Sequence, residues 1–296
     1  MFKEKGSFMK MLNDGEQVFA PSVWDCFSAK AAELCGYRAM LLSGAAVSKG
    51  LTGMPDLGLM TADELIYVTE RIADFSPLPL IVDFDEGYGD SPLNVYRNIK
   101  RLVRAGAQGF TLDDGQGVRG YERLAYYRGT GKKPYDVMSM DVYLAKIKAA
   151  LAAVEGTDCV VIARTESRAV NGFDDAMERV ARAHELGAQM TLINRVNDFE
   201  ECKKVAAAVP GWKMYPDIDV MPDGVPMVTM EEVKELGFNF VTIHCLEKGA
   251  MWGMVLYGKN NFQNKNGVFS GHHQMDGLRK RKRKRHLMFM EHSGCS

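Results

Sequence analysis

Acidic residues follow two short apolar segments of the chain, at the point where each segment ends. Asp83 lies near the end of LPLIVDF, Asp85 comes just after it, and Asp113 ends GFTLD. Side chains two residues apart in a strand lie on the same side, so we expect Asp83 and Asp85 to converge with Asp113 of a neighbouring strand. Three carboxylates that close raise each other's pKa unless a cation lies among them. A hard divalent ion fits this pattern, with Mg²⁺ as the first expectation and Mn²⁺ as the alternative.

Other segment ends carry groups that suit an anionic substrate. Arg164 closes CVVIAR, and a guanidinium there is able to hold a carboxylate or phosphate through two parallel hydrogen bonds. Ser43, Gly44 and Ala45 follow another apolar run and offer backbone N–H groups to a second anionic oxygen. The remaining segment ends provide further candidate substrate contacts at Trp24, Asn194, Asp217 and His244. The inferred substrate is a small acid with at least two oxygens that chelate a metal.

The segments that must position these residues recur regularly along the chain. They are continuous apolar runs, which are typical of strands buried on both faces: VFAP, AMLLS, LPLIVDF, GFTLD, CVVIAR, MTLI, WKMY and FVTIH. Helical stretches separate them, so the pattern predicts an α/β fold, a (β/α)8 TIM barrel with its active site at the C-terminal ends of the strands. A doubly wound open sheet is the alternative, but no GxGxxG follows the first strand.

Several local signals predict where the helices begin and end. Thr61 and Glu64 have the spacing of a capping box, and Ser91-Pro92 reads as an N-cap followed by the first helical residue. A glycine follows four predicted helices and precedes the next strand, which is typical of a left-handed C-cap: Gly36, Gly106, Gly187 and Gly237.

Composition excludes several classes of protein. The 296 residues are 46% hydrophobic and 25% charged, as in globular proteins. No apolar run reaches the roughly 18 residues that a membrane helix needs, and the N-terminal MFKEKGSFMK lacks the apolar core of a signal peptide. The six cysteines contain no CxxC, which fits free thiols. We therefore expect a cytoplasmic protein without a membrane partner.

Four stretches resemble the isocitrate lyase / phosphoenolpyruvate mutase superfamily, over about residues 8 to 275. They are VWDCFSAKAAELCGYRAMLLSGAAVS, GMPDLGLMTADEL, PLIVDFDEGYGDSPLNVYRNIKRLVRAGAQGF and VIARTESRAVNGFDDAMERVARAHELGA. The third is the most specific, because it combines an Asp-x-Asp-x-Gly-x-Gly metal strand with the following helix and an Ala-Gly-Ala-x-Gly turn. The resemblance implies a (β/α)8 barrel whose last helix is often exchanged with a neighbouring subunit, in a homotetramer (a dimer of dimers) with one Mg²⁺ per site.

The resemblance also implies roles for individual residues. Asp83 would bind the metal directly, and Arg164 would grip a small carboxylate substrate. Waters bound to the metal would connect it to Asp56, Asp85 and Asp113. The substrate carboxylate would be bound by Ser43, Gly44 and Ala45. Trp24 stands where the family usually has tyrosine. The shared chemistry is a metal-bound enolate of pyruvate type, with Mg²⁺ acting as a Lewis acid.

Three departures change the charge or reach of these groups. Asp113 replaces a usual glutamate, Asn194 replaces a glutamate after strand six, and Asp217 replaces an asparagine on strand seven. Substrate specificity therefore does not transfer directly from the family.

The segment after strand four distinguishes the reactions of the family. The carbon–carbon lyases carry Lys-Lys/Arg-Cys-Gly-His there, whereas this chain has Gly-Val-Arg-Gly-Tyr at 117–121. Decarboxylation of an oxaloacetate-like acid needs no cysteine and is the favoured prediction. Tyr121, Glu122 or Tyr126 as general acid would instead permit a lyase of 2-methylisocitrate or 2,3-dimethylmalate type. A phosphonopyruvate or phosphoenolpyruvate P–C enzyme is the third alternative.

The end of the chain is unlike the rest. Residues 279–285 are seven consecutive basic residues, and we expect a barrel domain over 1–275 followed by a poorly ordered basic tail over 276–296. A nucleic-acid or anionic-surface binder is the hypothesis from a different class. Since no recognised nucleic-acid module supports it, a nucleic-acid partner is not expected.

Overall fold

Eight parallel strands close into a barrel in the computed structural model, which describes residues 7–116, 125, 128–129, 136–196, 198–218 and 227–265. The barrel strands are β1 Val18–Val23, β2 Met40–Leu42, β3 Leu80–Asp83, β4 Gly109–Leu112, β5 Val160–Thr165, β6 Met190–Ile193, β7 Trp212–Tyr215 and β8 Phe240–Ile243. Each strand pairs with the next in sequence, and β8 returns to pair with β1. The closed order confirms the predicted (β/α)8 barrel and excludes the doubly wound sheet.

Helices lie between and around the strands. They are α1 Phe8–Asn13, α2 Cys26–Cys35, α3 Gly44–Thr52, α4 Ala62–Phe75, α5 Pro92–Arg104, α6 Met140–Val154, α7 Phe173–Glu185, α8 Phe199–Ala208, α9 Met230–Glu235 and α10 Leu246–Asn264. Two short antiparallel strands, Gly115–Gln116 and Asp136–Val137, flank the segment after β4. No helix in the described ranges combines the length and apolarity that crossing a bilayer requires.

The predicted helix boundaries are confirmed. Thr61 and Glu64 form a reciprocal capping box at α4, and Ser91 caps α5 with Pro92 in the first turn. Positive φ angles are found at all four predicted glycines, between +76° at Gly237 and +114° at Gly187. These caps end each helix just before the chain enters the next strand.

A separate apolar cluster fills the barrel interior, and α1 closes the end of the barrel opposite the C-terminal ends of the strands. The cluster comprises Phe8, Met11, Leu12, Val18, Ala20, Ala39, Leu41, Ile81, Val160, Ile162, Met190, Leu192, Met214 and Phe240. Phe8 is fully buried, and its ring meets the Phe240 ring edge-on at 5.0 Å between centroids. A Cβ at Gly109 would lie 3.4 Å from the Phe8 ring, so a glycine in β4 leaves room for this plug. The outward faces of the strands pack on the helices instead.

Candidate active site

A cavity of about 260 Å³ opens at the C-terminal ends of the barrel strands. It is lined by Leu41, Ser43, Ala45, Asp56, Asp83, Thr111, Arg164, Leu192, Asn194, Met214, Pro216, Asp217 and His244. Strand alternation explains why these side chains meet. Ile81 and Ile162 face the barrel interior, so Asp83 and Arg164, two residues further along β3 and β5, face the cavity above them.

Arg164 is held in place by two carboxylates, which are themselves fixed by polar neighbours. Its Nη1 donates to Asp83 Oδ1 at 3.0 Å, and its Nε donates to Glu166 Oε1 at 2.9 Å. Asn194 Nδ2 lies 2.8 Å from both carboxylate oxygens of Glu166, and Thr111 Oγ1 donates to Asp83 Oδ1 at 2.8 Å. The guanidinium is therefore oriented before any substrate arrives.

Glu166 is a site residue that sequence reasoning did not single out. Its side chain is buried, with 6% of the residue exposed, and it anchors both Arg164 and Asn194. Its position two residues after Arg164, at the end of the same strand, is the sequence feature that could have identified it. Asn194, which the sequence analysis treated only as a substrate contact, donates to Glu166.

The first turn of α3 presents backbone N–H groups beside the cavity. Ser43 is the N-cap, and its Oγ accepts from Ala46 N at 3.3 Å. The backbone N–H groups of the first helical turn have no carbonyl partner within a helix, and a helix N-terminus favours negative charge. Ser43 and Ala45 line the cavity. Gly44 lies beside them, where a Cβ would be 3.7 Å from Asp85 Oδ1.

The assignment of Asp83, Asp85 and Asp113 to one metal site stays a prediction. Within the described ranges, no three histidine, cysteine or acidic side chains form a group able to hold a metal ion. Asp85 has a φ of +49°, so the chain has left strand geometry and the two-residue alternation no longer applies. Asp85 accepts from Tyr88 OH at 2.9 Å, and Asp113 Oδ1 accepts from Gly115 N at 2.9 Å.

The donor set still fits a divalent ion. Mg²⁺ usually binds through one or two carboxylates and keeps several waters, so it does not need three converging protein ligands. Asp83 and Asp56 both line the cavity, and Asp85 and Asp113 are buried just behind it at 4% and 1% exposure. Such an ion would be held through Asp83 and water, and it would supply positive charge to a developing oxyanion.

A histidine and an acid lie across the barrel mouth from Asp83. Asp217 Oδ1 accepts from the His244 backbone N at 3.1 Å and lies 3.2 Å from His244 Nδ1. Asp83 ends β3 and Asp217 follows β7, and these two strands are separated by three strands in either direction round the barrel. A ligand in the cavity would therefore contact Asp83 on one side and this pair on the other.

Some predicted site residues lie elsewhere. Trp24 is half-buried next to Gly50 of α3 and is not among the cavity-lining residues. Tyr121, Glu122 and Tyr126 lie outside the described residues, as does the basic run at 279–285. The general-acid and tail hypotheses therefore stay predictions.

The chain is similar in sequence and fold to known proteins. The family model described as phosphoenolpyruvate phosphomutase matches residues 8–253. The chain is 36% identical over 182 residues to the 2-methylisocitrate lyase of Escherichia coli (strain K12), covering 61% of this chain and 58% of that protein. It is 32% identical over 216 residues to the oxaloacetate decarboxylase of Paraburkholderia xenovorans (strain LB400), covering 73% and 64%.

A solved structure extends the similarity to the whole barrel. Oxaloacetate acetylhydrolase in complex with the product oxalate has a TM-score of 0.74 and 26% identity, covering 88% of this chain and 87% of that one. The family model spans α1 to the first part of α10 and so includes every cavity-lining residue. The chain therefore belongs to the phosphoenolpyruvate phosphomutase family, within the isocitrate lyase / phosphoenolpyruvate mutase superfamily.

Proposed function

We propose that this protein is a Mg²⁺-dependent carbon–carbon lyase that decarboxylates a small 2-oxo dicarboxylate such as oxaloacetate. The observation that carries the proposal is one small cavity that contains both Arg164, oriented by Glu166, and the N-terminus of α3. Two separate anion-binding elements in about 260 Å³ suit a short diacid. The similarity to an oxaloacetate decarboxylase and to a structure with bound oxalate supports the same substrate class.

The residues of the site suggest how the reaction proceeds. Arg164 binds one carboxylate end-on, and the first-turn amides of α3 bind a second anionic group, so the substrate is fixed across the cavity. Mg²⁺, when bound, supplies positive charge at the 2-oxo oxygen. The C3–C4 bond then breaks, its electron pair moves to the C2–C3 bond as the 2-oxo oxygen gains charge, and CO₂ leaves. A proton from water is added at C3 and completes pyruvate.

The first test is direct. Purified protein with Mg²⁺ is expected to form pyruvate from oxaloacetate well above the rate with Mg²⁺ alone, because positioning and charge stabilisation lower the barrier. Coupling pyruvate to NADH oxidation measures the excess rate. The control is the same protein with excess EDTA, and a rate equal to that of metal alone would refute the proposal.

A lyase acting on a branched hydroxy acid is the second candidate. Leu41, Leu192 and Met214 give the cavity an apolar wall that accommodates a methyl group, and the 2-methylisocitrate lyase relative favours the same reaction class. Assaying 2-methylisocitrate, 2,3-dimethylmalate and phosphonopyruvate beside oxaloacetate separates these reactions. The substrate with the highest kcat/KM identifies the bond that is cleaved.

We also propose that the chain assembles as a homotetramer in which α10 packs against a neighbouring copy. α10 has no buried residue, and Met251, Trp252, Met254 and Phe262 are 60–73% exposed. Apolar patches of this kind mark interaction surfaces. Light scattering is expected to give four times the 32.9 kDa chain mass. Trp252→Glu is expected to lower that mass, whereas Lys259→Glu on the same helix is not, and a monomeric wild type would contradict the proposal.

A further inference from the structure

Asp114 differs from its neighbour Asp113 in what it contacts. Its carboxylate is fully buried. Oδ1 accepts from the backbone N of Glu166 at 2.8 Å, and Oδ2 accepts from Thr165 Oγ1 at 2.6 Å. Both contacts come from the two residues that follow Arg164 at the end of β5. Asp114 is thus attached to the end of β5 rather than directed into the cavity.

Arg179 of α7 provides the counter-charge. Its Nη1 lies 3.0 Å from Asp114 Oδ2, and its Nε donates to Asp175 Oδ2 at 2.7 Å. Arg179 is 4% exposed, so this is a buried ion pair with several hydrogen bonds. Burial raises the pKa of Asp114, while the hydrogen bonds from Thr165 and Glu166 and the Arg179 charge act in the opposite direction.

The same pair holds both ends of the segment between β4 and α6. Asp114 precedes the short strand Gly115–Gln116, and its carbonyl accepts from Met138 N at 2.8 Å. Met138 follows the partner strand, and its carbonyl accepts from Arg179 Nη1 at 2.8 Å. The two ends of the segment are therefore fixed to one carboxylate–guanidinium pair.

These contacts form a continuous path to the substrate-binding arginine. Asp114 fixes the backbone of Glu166, and the Glu166 side chain orients Arg164. We propose that Asp114 and Arg179 are positioning residues that align Arg164 for the substrate carboxylate by way of Glu166. The inference rests on the proposed function, since it assigns Arg164 to an anionic substrate.

A double-mutant cycle tests this path. Oxalate binding with Mg²⁺ is measured by calorimetry for the wild type, Asp114→Asn, Glu166→Gln and the double variant. Asp114→Asn is expected to weaken oxalate binding about tenfold, because a small misplacement of a binding group costs that much or more. In the Glu166→Gln background the same change is expected to have little further effect, because residues that act through one another are not additive.

A matched substitution controls for general damage to the turn. Arg168, in the 3₁₀ turn Ser167–Ala169, pairs with Glu201 at 2.8 Å and does not contact Asp114. Arg168→Lys is therefore expected to leave oxalate affinity unchanged. Arg179→Lys is expected to weaken oxalate binding and to raise the KM for oxaloacetate more than it lowers kcat. If Asp114→Asn does not fold, Arg179→Lys replaces it in the cycle.

Each outcome has one meaning. Equal losses from Asp114→Asn in both backgrounds would overturn the inference and leave the proposed function intact. An equal loss from Arg168→Lys would also overturn it, because the effect would then be general to the turn. A wild type that turns over none of the substrates and does not bind oxalate would overturn the proposed function, and the inference with it.

Discussion

Replacing Asp83 by asparagine is expected to lower kcat/KM for the protein's substrate on the order of a thousandfold, which corresponds to about 4 kcal/mol of lost transition-state stabilisation. The reason is that Asp83 is the cavity carboxylate proposed to bind the metal, and it also contacts Arg164 and Thr111. Losing its charge removes the metal ligand while the shape of the side chain is kept. Steady-state kinetics with saturating Mg²⁺ measures the loss.

The control is an aspartate at the opposite end of the barrel. Asp158 is exposed just before β5, so Asp158→Asn is expected to leave kcat/KM unchanged. Titrating Mg²⁺ separates the two roles of Asp83, because a lost metal ligand raises the metal concentration needed for half-maximal activity. Wild-type kinetics in Asp83→Asn would contradict the metal assignment.

Replacing Phe8 by alanine is expected to lower the free energy of unfolding by about 3–5 kcal/mol, the usual cost of deleting a buried aromatic ring. Phe8 is fully buried, closes the end of the barrel opposite the cavity and packs on Phe240. The cavity left behind would be lined by the interior cluster and by Gly109, which cannot fill it. Urea unfolding followed by circular dichroism measures the change.

A control for this helix is available two residues away. Lys10 is exposed and forms an ion pair with Asp14, so Lys10→Ala is expected to leave the free energy of unfolding nearly unchanged. Phe8→Leu, which keeps most of the apolar volume, is expected to fall between the two. If Phe8→Ala were no less stable than Lys10→Ala, the end of the barrel opposite the cavity would not depend on this plug.

Local chemistry allowed much of the fold to be predicted. Runs such as CVVIAR and MTLI are continuously apolar over most of their length because parallel barrel strands are buried on both faces. Gly187 and Gly237 marked helix ends because few residues other than glycine adopt a positive φ at low cost. A parallel barrel brings the strand ends to one edge, so the sequence predicts Asp83, Arg164 and His244 at one site.

Contacts between distant segments were not predictable in the same way. The left-handed backbone at Asp85 ended the strand alternation, and nothing in the spacing of Asp83 and Asp85 indicated it. The contacts of Asp217 with His244, and of Asn194 with Glu166, join different strand ends. Hydrogen bonds of this kind depend on side-chain positions that a one-dimensional pattern does not contain.

The adjacent residues Asp113 and Asp114 show both what the sequence predicts and what depends on tertiary contacts. The sequence by itself determined that a strand ends there and that its acids lie at the active-site end of a barrel, because these follow from residue type and periodicity. Only the tertiary structure decided that Asp113 is buried behind the cavity while Asp114 pairs with Arg179 of α7. A buried carboxylate needs a partner to offset its desolvation, and which partner it finds is set by the packing of α7 on the barrel.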